Sequence, residues 1–286
     1  MEPLVIRNRK ITAQDLQFIQ SVVHEYWGKG RTQISKILCT KWNWVQPNGR
    51  LKDMACREVL LTLYRKGLLD YPPPLQSSNN VKRAVSKIPV KEEPINCHVN
   101  DLDPIWIKMV INTDQEPLYD SLVDQYHYLG HAQIVGNYLK YMAFAGETPV
   151  ACIGWGSAAW AVQSREEFIG WTKPVKNKNL HFVVNNTRFL VLPFVTVKCL
   201  ASKVLALNIK RISSDWIKVY NYPLYMLETF VEQERFKGTC YKASNWIQVG
   251  ETKGTSKKGH KHLKHGKIKD VYLYPLDKNF KKLLVT

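Results

Sequence analysis

Five prolines, Pro72, Pro73, Pro74, Pro89 and Pro94, interrupt a stretch rich in Ser, Asn, Lys and Glu. Proline fixes φ and removes a backbone donor, so neither helix nor inner strand runs through such a segment. No apolar period crosses it. It reads as a linker over residues 76–100. The chain must therefore fold as two parts, a small module over 1–75 and a larger one over 101–286.

The first part is patterned for helices. Thr12, with Asp15 three residues on, has the form of a capping box, and Leu16, Ile19, Val22, Val23 and Tyr26 follow at helical spacing. Gly28-Lys29-Gly30 ends that helix, and Thr32 is placed to cap a second with Ile34, Ile37 and Leu38 inside. A third spans about Leu51 to Lys66 and stops at Gly67. Leu68 to Tyr71 reads as a short strand. Three helices, a strand and a basic third helix predict a winged-helix-like DNA-binding module. Lys52 and Arg57 are its phosphate or base contacts. A three-helix interaction bundle fits the same pattern. Trp42 and Trp44 read as core and loop packing.

The second part mixes periods. Tyr138–Ala145 and Thr148–Trp155 read as strands joined by a Gly146-Glu147 hairpin turn. His181–Leu192 is a long β-rich stretch broken at Asn185-Asn186. Cys199–Ile212 is a helix, Leu224–Val231 a buried strand, Gly238–Trp246 a short helix, and Val271–Tyr274 a last strand. The expected class is α+β, a helical winged-helix-like module followed by a mixed α/β domain.

The net charge of +17 favours a polyanionic partner. Lysines crowd the loop over 251–270, where Lys257, Lys258 and Lys261 suit phosphate contact and three glycines interrupt regular structure. The 45% hydrophobic content is enough to build a core. No apolar run is long enough to cross a bilayer, and no signal core opens the chain, so no membrane is expected and a cytoplasmic location is. The cysteines are scattered, with no CxxC pair.

Several segments carry a family likeness. They include His127-Tyr128-Leu129-Gly130, the run from Ala151 to Trp160, Phe168-Ile169-Gly170-Trp171, Val184 to Leu190 with Pro193, Leu227 to Val231, and Arg235-Phe236 with Gly238 to Trp246. Together they resemble the Druantia A-type family, which includes a component of an anti-phage defence system and has transposon-associated relatives labelled transposase. The resemblance implies action on DNA in mobile-element or phage biology, with other defence-system or transposition proteins as partners. The C-terminal element order also resembles the acetyltransferase fold of the GNAT class. That fold's acyl carrier, acetyl-CoA, is not expected here. Its pyrophosphate needs glycine amides at a helix start, and the corresponding place, Pro193 to Ser202, has no glycine.

Strand cleavage and joining of the transposase kind requires a nucleophile and groups that stabilise phosphorane charge, often with Mg²⁺ or Mn²⁺. Tyr241 is a candidate nucleophile. Glu228, in an apolar strand, is a candidate base or metal ligand. His127 and His181 are candidate acid–base groups, His181 also a metal ligand. Arg188 and Arg235 are candidate phosphate clamps, and Lys242 and Asn245 candidate DNA contacts. Each has a structural alternative: Tyr241 as a core aromatic, and Glu228 as the buried partner of Arg188 or Arg235. The expected function is DNA processing by transposase-like strand cleavage and joining, and a non-catalytic DNA sensor or adaptor is the alternative that fits the same residues.

Overall fold

A computed structural model describes residues 4–7, 9–75, 85–134, 136–258, 261–264 and 266–286. The chain forms two compact units, Met1–Arg83 and Ala84–Thr286. The expected linker over 76–100 therefore falls largely within the second unit; its residues 76–84 lie outside the described ones.

In the first unit, Thr12 caps its helix as its chemistry predicts. Its hydroxyl accepts from the Asp15 amide, and Asp15 accepts from the Thr12 amide at 2.9 Å. A hairpin of β1 (Leu4–Ile6) and β2 (Arg9–Ile11) precedes α1 (Ala13–Glu25). Helices α2 (Gly30–Lys41) and α3 (Asp53–Arg65) follow. Helix α2 begins at Gly30 without a side-chain cap, so Thr32 lies inside it rather than at its start. Ile19, Ile34, Leu38, Val59, Leu60 and Leu63 are fully buried and form the core. Trp42 and Trp44 pack on it, and the Arg9 guanidinium lies 4.1 Å from the Trp42 ring. Residues Leu68–Tyr71 are not a strand. The paired strands of this unit lie before its helices, where no alternation long enough to signal a strand exists.

The second unit is built on a seven-stranded sheet. In chain order its elements are β3 (Ile95–His98), β4 (Ile105–Met109), α4 (Glu116–Tyr126), β5 (Leu139–Ala145), β6 (Thr148–Ser157), α5 (Gln163–Ile169) and α6 (Lys173–Asn179). Then come β7 (Val183–Val191), β8 (Val195–Lys198), α7 (Leu200–Tyr220), β9 (Met226–Glu232), α8 (Thr239–Lys242) and β10 (Ile247–Glu251). Strands β11 (Thr255–Lys258) and β12 (Lys261–Lys264) pair with each other, and β13 (Lys269–Pro275) and α9 (Phe280–Val285) complete the chain. The sheet order is β10-β13-β9-β7-β6-β5-β4. All neighbours are antiparallel except β7 and β9. Hairpin, long strand, helix, strand, helix and strand occur in the expected order, with α5 and α6 inserted before β7 and β8 inserted after it, and the unit is α+β.

Burial explains the sheet's centre. Strand β5 is buried at every position and β6 at seven consecutive ones, so both read as apolar runs rather than as alternation. Trp155 and Trp216, both buried, anchor the α7 side, where Trp155 donates to Asn208 at 2.7 Å. Among the described residues no helix is long and apolar enough to cross a membrane.

Candidate functional site

The site arises where two parallel strands stop pairing. Strands β7 and β9 pair only at Val183–Asn185 against Met226–Glu228. Beyond that rung β7 continues to Val191 along β6, and β9 continues to Glu232 along β13. The register of β7 against β6 shifts between Gly154 and Trp155, leaving Thr187 as an extra residue. Such a bulge bends a strand away from its neighbour. Asn186 stitches it, its amide donating to Gly154 O and Arg188 O at 3.0 Å each. The Asn185-Asn186 pair thus marks the bend of a continuous strand.

The cleft opened by this divergence has a volume of about 660 Å³, in the range of sites that hold a small organic ligand. His127, Tyr128, Arg188, Phe236, Lys237 and Lys269 line it, with Glu232 its one lining carboxylate among the described residues. Glu232 is buried on the β9 side, 3.3 Å from Arg235 Nε and 3.5 Å from Lys267 Nζ. Tyr128 and Phe236 pack at 5.5 Å between ring centroids with their planes tilted by 59°, and the Arg235 guanidinium sits 4.9 Å from the Tyr128 ring. Arg188 is held by donating to Gly130 O at 3.0 Å and Thr187 O at 2.7 Å. Burial, helped by the neighbouring Arg188 charge, pushes the His127 imidazole from 6.5 down to about 4. It is therefore neutral at physiological pH, able to accept or pass a proton.

Tyr241 also lines the cleft, but its hydroxyl is engaged. It donates to Asn186 Oδ1 at 2.7 Å, 3.4 Å from Thr229 Oγ1, and burial pushes its pKa upward. Its ring stacks on Tyr272 and meets Trp246 edge-on, so it also serves as core. Neighbouring Cys240 is raised to about 11 by burial, the pattern of an inert thiol.

Glu228 lies elsewhere. It is fully buried at the last paired rung and is not among the lining residues. Arg165, also fully buried, donates to it at 2.6 Å, and the Ala159 amide donates to its other oxygen at 2.7 Å. Its partner is thus Arg165 rather than Arg188 or Arg235. The same guanidinium donates to Ala159 O at 2.8 Å, so the pair fixes the turn after β6. His181 sits in a short 3-10 turn before β7, its ring 3.9 Å from Phe182 and 5.3 Å from Tyr222. Among the described residues no group of three or more His, Cys, Asp or Glu is placed to hold a metal ion.

The remaining contacts are dispersed. Lys242 and Asn245 are exposed around the end of α8, outside the lining set. Lys52 immediately precedes α3, and Arg57, one turn in, lies 3.6 Å from Asp53. Lys257, Lys258 and Lys261 fall in β11 and β12, and their side chains lie outside the described part of the structure. Sequence reading missed Arg165, which sits in the polar run Gln163-Ser164-Arg165-Glu166-Glu167 and looks solvent-facing. It also missed Lys237, while Glu232 stood out only as one of several acids and Lys269 only as one of the lysines of the basic stretch over 251–270. The available signal was their nearness to Arg235-Phe236 and the last strand.

The pyrophosphate cradle of the acetyltransferase fold does not fit this chain. The connection from β7 to α7 contains strand β8, paired in parallel with β3. The Leu192 amide is spent on Val150 O and the Val195 amide on Leu192 O, while Pro193 has none. Cys199, not glycine, takes φ 65° before α7.

Fold and cleft together define an α+β protein built on a seven-stranded mixed sheet, with a cationic cleft where β7 and β9 diverge. The family model for Druantia protein DruA matches residues 62–260, and the chain belongs to that family. Membership implies a role in anti-phage defence. No curated protein matches the sequence. Solved structures similar to it include an N-acetyltransferase from Staphylococcus aureus, with 13% identity over 60% of this chain and 98% of that one, TM-score 0.36. An aminoglycoside acetyltransferase in complex with coenzyme A has 11% identity over 63% and 98%, TM-score 0.38. A GNAT-family acetyltransferase from Streptococcus pneumoniae has 11% identity over 61% and 100%, TM-score 0.38. This likeness adds nothing to the strand order described above and assigns no activity.

Proposed function

We propose that this chain is the nucleic-acid-recognising component of its defence system, a DNA sensor or adaptor that engages other defence proteins. The observation that carries it is the cleft itself. Arg188, Lys237 and Lys269 line it together with one carboxylate, Glu232, and the rings of Tyr128 and Phe236. Cations that follow a backbone and rings that stack on bases are what single-stranded nucleic acid requires. In this reading the first unit acts as a winged-helix-like module on duplex DNA, with Lys52 and Arg57 on phosphates, and Lys257, Lys258 and Lys261 add positive charge.

The test is anisotropy with labelled single- and double-stranded DNA across a salt series. Binding through phosphates loses affinity with a slope of about 0.7 per contact for a single strand. Affinity independent of salt would refute the reading.

A second reading, strand cleavage and joining, is favoured by one observation: a neutral His127 beside Arg188 in the same cleft. A base next to a phosphate clamp is part of what such chemistry needs. Tyr241, whose hydroxyl is engaged and less acidic than usual, is a poor nucleophile for a covalent route. Both oxygens of Glu228 are taken by Arg165 and Ala159, so it is a poor ligand for Mg²⁺ or Mn²⁺. Incubation of labelled DNA with either metal, read on sequencing and denaturing protein gels, separates the two. Cuts abolished by His127→Gln support the enzyme; binding without cuts supports the sensor.

A further inference from the structure

Four arginines stand in the second unit, and three of them hold a carboxylate. Arg165 pairs with Glu228, Arg211 with Asp215 and Arg235 with Glu232. Arg188 pairs with no carboxylate among the described residues, although it is half-buried in the cleft wall and burial lowers its pKa. Two of its nitrogens are committed, Nε to Gly130 O and Nη1 to Thr187 O. Both partners are neutral carbonyls, so they aim the guanidinium without offsetting its charge. The third nitrogen, Nη2, has no acceptor among the described residues and is not sealed from solvent. A desolvated charge is kept in proteins when a counter-ion meets it, and the described chain supplies none.

The neighbours select the anion. The Leu129 amide donates to His127 Nδ1 at 3.2 Å, so the neutral imidazole carries its proton on Nε2 and can donate it. His127 lines the cleft near enough to Arg188 to feel its charge. Lys237 and Lys269 line it too, and Glu232 already faces Arg235 and Lys267. Three cations and a neutral donor suit an anion of about two charges with three acceptor oxygens, which is a phosphate monoester. A diester within a strand offers a single charge and fewer such oxygens. The wedge is also blind. Its apex is closed where Asn185 still pairs with Glu228, and a volume of about 660 Å³ suits one small unit. A strand cannot thread such a wedge, but its end can enter. We infer that the cleft is a receptor for a phosphate monoester, held by Arg188 Nη2 and His127 Nε2 with Lys237 and Lys269 around it. The inference rests on the nucleic-acid reading above and deepens it, since a monoester is the phosphorylated end of a strand. A free nucleotide offers the same group.

The test uses the full chain and one single-strand sequence, labelled at an internal base, in three forms: with a 5′-phosphate, with a 3′-phosphate, and with hydroxyls at both ends. At one salt concentration we expect a phosphorylated form to bind about tenfold more tightly than the hydroxyl-ended strand, the worth of one charge-assisted hydrogen bond. The end preferred gives the polarity. Arg188→Gln should bring that ratio to about one, while continued binding of the hydroxyl-ended strand reports a folded variant. Arg188→Lys keeps the charge without the planar fork and should restore part of the ratio. Equal binding of all three forms by the unaltered protein overturns the monoester inference while leaving polyanion binding intact. A ratio unchanged in Arg188→Gln also overturns it. Failure of every form to bind overturns the nucleic-acid reading instead, and the inference falls with it. Deoxynucleoside 5′-monophosphates, with the matching nucleosides as controls, then identify the source. Displacement of the phosphorylated strand by the monophosphates alone supports the site and assigns it a free nucleotide; a phosphate-dependent ratio without such displacement supports it and assigns a strand end. The wild-type comparison needs no variant to fold.

Discussion

Strand β9 carries two buried carboxylates two pleat repeats apart, and they have opposite surroundings. Glu228 sits where β9 still pairs with β7. Its oxygens are closed off by the fully buried Arg165 and by the Ala159 amide. Glu232 sits where β7 has bent away, and its cations, Arg235 and Lys267, are half exposed at 51% and 52%. Same strand, same face by alternation, same residue type: pairing makes the first a structural group, and divergence makes the second part of a cleft wall. A buried carboxylate in a sequence signals a partner. Whether that partner is sealed or wet depends on the neighbouring strand.

Breaking the sealed end should have the largest effect. Arg165→Met leaves Glu228 buried and uncompensated, and should cost about 3–5 kcal/mol in chemical denaturation. If stability is kept while DNA binding is lost, Glu228 and Arg165 belong to the site after all. At the open end the effect should fall on binding. Lys237→Ala should leave the denaturation midpoint within experimental error, whereas Arg188→Ala, which loses the bonds to Gly130 O and Thr187 O, should cost about 1–2 kcal/mol of stability. Each should also flatten the salt dependence of DNA binding by about one contact. An unchanged slope would detach that residue from the phosphate path.

Tyr241→Phe is a smaller perturbation between the two ends. It removes the bond to Asn186 Oδ1 and should cost about 1 kcal/mol of stability. A normal affinity in the variant would mark the hydroxyl as a strut for the bulge; loss of a covalent protein–DNA band would reinstate it as a nucleophile.

The smallest effect is the pH response of His127. Its folded pKa of about 4 lies below the ordinary 6.5. Between these values the unfolded chain binds more protons than the folded one, so stability should fall as pH drops through that window and level off below it. His127→Gln should flatten that part of the melting-temperature profile. A profile unchanged by the substitution would place the imidazole in solvent.

Much of this was legible in the residues. The capping box at Thr12 and the hairpin turn at Gly146-Glu147 rest on local chemistry, and the structure has both. The strands over 139–145 and 148–157 were readable because long apolar runs between turn signals have few alternatives. Strand β8 was not, since Val195–Lys198 is too short to signal itself and exists by pairing with β3, about a hundred residues away in sequence. Helix α5 was missed for a related reason, because its only deeply inward charge, Arg165, is indistinguishable in sequence from Glu166 and Glu167 beside it. His127, Arg188 and Tyr241 were singled out from motif and residue type, and the fold brings all three to one cleft.

What the sequence determined by itself was composition-level and local: a strongly basic chain cut in two by prolines, helical before the cut and mixed after it, with family-typical segments that tie it to phage defence. Only the tertiary structure decided which polar groups are sealed and which are open. Sealing depends on partners far apart in the chain, such as Arg165 and Glu228. The opening depends on a one-residue bulge at Thr187 that turns β7 away from β9. Neither leaves a local pattern, because both are set by how strands meet rather than by any stretch of residues.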